Sequence, residues 1–251
     1  MKKALTLVQT CFLLVAFASP ALALDFGARA SYWLPGMDSE LRVDSGGVVG
    51  TNFDLKNDLG VDSDFFPAGE IWLGSGRHYF ALGYFKAVYD GDKVLSGSPV
   101  YNGVTYPNLS AHFNMDFKSL DLTYGYRLVN LDAFLAGVSV TALVDAKLID
   151  IETRLTSTGQ DQSRSETSLI PAVGVKVNAQ LLAKILEAQA VLAIQPLGDK
   201  TVTDLILDIS YTPFPLVGLH AGWRSFILKI NDGFRFSHRL NGPFVALSIG
   251  F

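Results

Sequence analysis

From Val245 the chain alternates large apolar residues (Val245, Leu247, Ile249, Phe251) with small ones (Ala246, Ser248, Gly250). A period of two is the mark of a β-strand with one greasy face. The same alternation runs back through the chain. Residues 24–34 set Phe26, Ala28, Ala30 and Tyr32 against Gly27, Arg29, Ser31 and Trp33. Residues 63–74, 77–89, 111–129 and 131–152 continue it, with Leu120, Leu122, Tyr124 and Tyr126 opposed to Ser119, Asp121, Thr123 and Arg127 as the plainest case. Residues 166–181, 185–195, 201–211, 216–230 and 234–251 complete ten predicted strands without an internal repeat. Residues 181–190 (LLAKILEAQA) would also fit a helical turn or two, and the flanking pattern favours a strand.

The breaks between strands fall into two kinds. Residues 74–76, 130, 182–184 and 212–215 predict tight turns, whereas 35–62, 90–110 and 153–165 are long and polar and predict loops, the first with room for short hairpin extensions. Residues 196–200 and Asn231-Asp232-Gly233 are short turns on the loop side, the latter a strong hairpin signal. Turns and loops therefore alternate, and an even strand number returns Phe251 to the side on which the first strand begins. Merging two of the weaker segments would give eight strands in place of ten.

Composition separates a soluble sheet from a membrane one. Mean hydropathy is +0.28 and hydrophobic residues make up 49%, yet no apolar run after residue 23 approaches the ~20 residues of a spanning helix. Only helices and closed barrels satisfy their backbone polar groups in lipid, so the expectation is an all-β, closed, antiparallel up-and-down transmembrane barrel over 24–251. Residues 1–23 read as an export signal: Lys2 and Lys3, an apolar stretch, and an Ala21-Leu22-Ala23 cleavage site. The one cysteine, Cys11, lies inside it, which excludes disulfides and thiolate chemistry from the mature chain. Without the two lysines, the 20 basic residues fall to 18 against 24 acidic, a formal −6 with no basic stripe for nucleic acid.

The export signal, the alternating strands and the aromatic terminus together resemble the small bacterial outer-membrane β-barrel superfamily. That resemblance covers the mature chain and implies residence in the outer membrane among its lipids and lipopolysaccharide. It also implies assembly by the barrel-insertion machinery through the closing strand, and a monomer. Phe26, Phe80, Tyr124, Tyr126, Phe134, Tyr211 and Phe251 fall on the expected lipid face near one end, as an interfacial aromatic girdle would.

The opposite face carries Arg29, Glu70, Asp121, Arg127, Asp145, Lys147, Lys176, Glu187, Asp204, Asp208, His220 and Arg224. Both signs are present, so the expectation is a set of cross-lumen ion pairs that plugs a narrow barrel, with a polar path for a small solute as the alternative. His220 near Ser210 and Asp208 raises a barrel-wall hydrolase as a further alternative, and His112 and His238 beside Asp90 and Asp232 a rim protease; no family motif supports either, and no catalytic set is assigned. The expected role is a structural or surface one, or a narrow channel for small or hydrophobic solutes; a soluble periplasmic β-barrel carrier is the remaining reading. Scattered histidines and the absence of a calcium-loop spacing leave no expected metal site, and no glycine-rich phosphate loop suggests a nucleotide or other cofactor.

Overall fold

The computed structural model describes residues 24–133, 136–182 and 185–251; the predicted export signal lies outside them. In chain order the strands are β1 (Leu24–Trp33), β2 (Gly36–Val43), β3 (Phe53–Asp54), β4 (Phe66–Ser75), β5 (His78–Val94), β6 (Val100–Tyr101) and β7 (Val104–Thr105). They continue as β8 (Ser110–Asp132), β9 (Ala136–Ser157), β10 (Gln160–Leu181), β11 (Leu186–Gln195), β12 (Lys200–Phe214), β13 (Val217–Asp232) and β14 (Phe234–Gly250). Ten of these, β1-β4-β5-β8-β9-β10-β11-β12-β13-β14, form an antiparallel sheet that closes on itself through β1–β14. Closure runs from Gly27↔Gly250 to Trp33↔Phe244. The segment at 185–195, with its helical undertone, is strand β11 from Leu186 onward.

Strand β14 holds the barrel together twice. Its second half pairs with β1, and its first half pairs with β2 from Gly36↔Asn241 to Val43↔Phe234. The chain steps across at Leu34-Pro35, where Gly242 has no room for a Cβ because the Leu34 carbonyl and Pro35 Cα occupy that space. The Trp33 indole N–H donates to the Gly242 carbonyl at 3.2 Å and fixes the step. The long segments carry short strands of their own. Residues 35–62 contain β2 and β3, and 90–110 contain the small β6–β7 hairpin. Residues 153–165 form the tip of a β9–β10 hairpin that pairs from Gln160↔Ser157 onward, with Gly159 in the left-handed region at the turn.

The barrel wall divides into two halves of opposite phase. On β9, Val138 to Leu148 present apolar side chains outward, ten residue steps that rise about 25 Å at ~3.3 Å each and a tilt near 40°. That is the height of a membrane-facing band. Beyond it the exterior turns charged, as at Lys86–Asp116 (2.7 Å) and Lys118–Asp150 (3.3 Å), and the interior turns apolar. On β8 the outward Leu120, Leu122 and Tyr124 give way to the inward Phe113, Met115 and Phe117. The same inversion carries β13 from outward Leu219 and Trp223 to inward Phe226, Leu228 and Ile230, and β14 from outward Val245 to inward Phe234 and Phe236.

Candidate functional site

The lumen is stacked in three layers. Next to Leu24, Phe251 and the tight turns lies a polar vestibule of about 560 Å³, bordered by Arg127, Lys176, Glu187, His220 and Ser248 among others. Above it is an ionic layer around a smaller cavity of about 110 Å³. Above that, the barrel is filled.

The ionic layer brings many of the inward charges into two connected clusters. In the first, Lys147 Nζ lies 3.0 Å from Asp121, 3.0 Å from Asp145 and 3.1 Å from Asp204. Arg224 donates to both oxygens of Asp204, at 3.0 Å from Nε and 2.8 Å from Nη2. Lys147, Asp145 and Asp204 are buried and Asp121 and Arg224 half-buried, and each has opposite-sign or hydrogen-bond partners, as burial requires. The second cluster is a chain. Glu70 accepts from Arg29 at 3.3 Å, Arg29 reaches Asp208 at 3.3 Å, and Asp208 and Ser248 engage the two ring nitrogens of His220 at 2.8 Å each. Ser210 sits opposite His220 in the β12–β13 register, but the ring turns to Asp208 and Ser248.

Three inward residues stand apart from both clusters. Glu187 accepts from Gln180 at 3.1 Å. Lys176 extends its ammonium 4.4 Å over the Tyr79 ring, a cation–π contact. Arg127 faces the vestibule beside a bulge at Leu128, which turns both Leu128 and Val129 outward.

The Arg224 guanidinium forms the boundary with the upper layer, 4.9 Å over Trp33 and 5.0 Å over Phe85. Above it Phe85, Phe117, Phe226 and Phe236 pack with ring centroids 5.7–6.5 Å apart, all 2% exposed or less. The segments between strands supply the lid: Phe53, Leu55, Leu59, Val61, Leu95, Tyr101 and Tyr106 are all buried. The Tyr106 hydroxyl donates to the Leu155 carbonyl at 2.8 Å, and the Tyr101 hydroxyl meets Thr153 Oγ1 at 2.8 Å. His238, expected near a rim with Asp232, lies instead inside this layer. It is fully buried, stacked on Phe236, and bonded through Nδ1 to Ser39 Oγ at 2.6 Å. His112 is exposed and pairs with Asp92 at 3.0 Å rather than with Asp90. Neither arrangement assembles a protease-like set.

On the outside, Phe26, Phe80, Tyr124, Tyr126, Tyr211 and Phe251 are all exposed at the vestibule end, with Phe26 and Phe251 stacked at 5.1 Å across the closing seam. Phe134 lies outside the described residues. A second set of outward aromatics, Tyr32, Phe65, Tyr84 and Trp223, lies toward the other edge of the apolar band. Among the described residues no group of three or more His, Cys, Asp or Glu is arranged to hold a metal ion.

Several solved structures are similar to this chain. They include Ail, the attachment invasion locus protein of Yersinia pestis (10% identity, 91% of this chain and 99% of that one, TM-score 0.38). Neisserial surface protein A (15%, 90% and 97%, 0.37) and the Pseudomonas putida toluene transporter TodX (10%, 94% and 91%, 0.27) are also among them. At such scores they add nothing to what the strand ladders define. No family model and no curated protein matches the sequence.

The lid and the upper apolar layer were missed at the level of sequence, although the signal was present. In five of the long strands, β5, β8, β9, β13 and β14, the parity of the apolar positions switches part-way along, and only a filled interior beyond the membrane explains greasy residues on the lumen side there. Ser248 was legible in a similar way. Counting back from the Asn231-Asp232-Gly233 hairpin aligns Gly218 with Ser248 and puts the hydroxyl diagonally beside His220.

Proposed function

We propose that this protein is an outer-membrane β-barrel with a structural or surface role, exported by residues 1–23 and closed to solute flow. The observation that carries this reading is the apolar fill of the outer half of the lumen. Polar solutes that enter the vestibule meet the ionic layer and then a packed aromatic core, in which burying one Phe contributes about 1.5–3 kcal/mol. A continuous aqueous path would have to displace several such side chains. The apolar band and its two aromatic borders support a lipid environment, and the greasy exterior of β14 suits recognition by the insertion machinery.

The wall above the band supports contact with lipopolysaccharide. Arg42, Lys229 and Arg235 border, with Glu40, a groove of about 340 Å³ on the outer surface of β2, β13 and β14; Arg42 is paired with Asp44, which leaves Lys229 and Arg235 as the cations suited to phosphate. The reading places the lid outside the cell and the vestibule in the periplasm. Cysteine labelling tests it, because the mature chain has no thiol of its own. Asn57→Cys is expected to react with an impermeant maleimide on intact cells, and Gly76→Cys only after the outer membrane is breached. The opposite pattern, or recovery of the protein in the soluble periplasm, would overturn the proposal.

A further inference from the structure

The geometry points to a second property: Asp208, His220 and Ser248 form a nucleophilic hydrolase site in the vestibule wall, taking small carboxylic esters from the side of the chain termini. The three residues come from adjacent strands β12, β13 and β14, and all face the lumen. The proton positions follow from the donors available. An ionised carboxylate only accepts, so His220 Nδ1 donates to Asp208 Oδ2 at 2.8 Å. With Nε2 unprotonated, that nitrogen accepts from the Ser248 hydroxyl, which lies 2.8 Å away. This is the arrangement that activates a serine: a base aimed at the hydroxyl and a carboxylate that orients the base.

Two further observations separate it from an ordinary polar ladder. Both His220 and Ser248 border the 560 Å³ vestibule, so a substrate can reach the hydroxyl. The space beside the pair is kept free by Gly218, where a Cβ would lie 2.6 Å from Ser248 Oγ and 3.1 Å from His220 Nε2. Arg29 occupies the position opposite Ser248 in the β1–β14 ladder and contacts Asp208 from the far side, itself balanced by Glu70. Its guanidinium and the Lys176 ammonium line the vestibule, together with the Glu70 and Glu187 carboxylates.

The reaction balances without any further reagent than water. Ser248 Oγ bonds to the ester carbonyl carbon as its proton passes to His220 Nε2. Collapse of the tetrahedral adduct breaks the bond to the alcohol oxygen, which takes that proton and leaves. A water then gives a proton to Nε2 and attacks the acyl group, and Ser248 regains its proton as the carboxylic acid departs.

The test uses the full mature chain refolded in vesicles, with heat-modifiable gel mobility to confirm the folded barrel. The probes are p-nitrophenyl butyrate and a fluorophosphonate, the latter read as an intact-mass increase mapped to a peptide. The expected result is ester hydrolysis and phosphonylation at Ser248, with at least about a hundredfold loss of rate in S248A and H220Q. G218A, which retains all three residues but crowds Ser248, is expected to lose labelling, and S210A to keep it. A folded wild-type barrel that hydrolyses no faster than S248A, or label that maps to another serine, would overturn the assignment and leave the closed-barrel reading untouched.

Discussion

Lys147 shows what one side chain contributes when the lumen is narrow. Three carboxylates, Asp121, Asp145 and Asp204, converge on its ammonium within 3.1 Å, and its side chain is 3% exposed. Removing the cation leaves those carboxylates facing each other with Arg224 as the remaining positive charge of the cluster, a loss expected to cost about 3–5 kcal/mol. Lys147→Met should therefore lower the urea midpoint of the barrel in vesicles, and adding Asp204→Asn should recover part of it; an unchanged midpoint for the single variant would contradict this account. Outside the membrane, Asp54 turns the chain between β3 and β4. Its carboxylate accepts from the Asn57 backbone N–H, with help from the Asn57 amide and the Lys56 N–H, and these bonds hold it below its ordinary value of 3.8. A carboxylate depressed by folding stabilises fully above its unfolded value and loses that contribution as pH falls through the lower folded one. NMR titration of the Asn57 and Lys56 amides should accordingly show a midpoint below 3.8; one at or above it would show that the turn is not held this way.

At the scale of the strand, the change of phase is the decisive feature. Phe117 lies just beyond it on β8 and touches Phe85, Phe226, Phe236 and His238, with no measurable exposure. Phe117→Ala is expected to destabilise by about 3–5 kcal/mol, through lost burial and the cavity left behind; a cost below about 1 kcal/mol in chemical unfolding would mean the layer is loosely packed. Strand existence, strand order and the closing pair were readable in the sequence because period-two alternation and tight-turn residues are local signals. The inward position of residues such as Arg29, Asp145 and Arg224 follows from the same parity. Their partners did not, since a pair such as Lys147–Asp204 depends on how far side chains reach across a lumen whose diameter no single strand encodes. The internal structure of the loops 35–62, 90–110 and 153–165 is hidden for a related reason. Polar, glycine-rich composition hid the few buried anchors, Leu55, Tyr101 and Tyr106 among them, that tie those segments into the lid.

At the scale of the whole molecule, one closed sheet serves two solvents. In the membrane half it is greasy outside and polar inside; in the outer half it is polar outside and packed inside like a soluble domain. The Arg224 guanidinium, bonded to Asp204 on one side and lying over Trp33 and Phe85 on the other, joins the two regimes. The vestibule is accordingly a dead end, a shape suited to holding a small molecule rather than passing it. Single-channel recording of the refolded mature chain in a planar bilayer tests whether the lumen is closed. The account predicts an electrically silent wild-type barrel, with conductance steps appearing only when Phe85, Phe117 and Phe226 are together replaced by alanine. Stable conductance steps from the folded wild-type protein would contradict it.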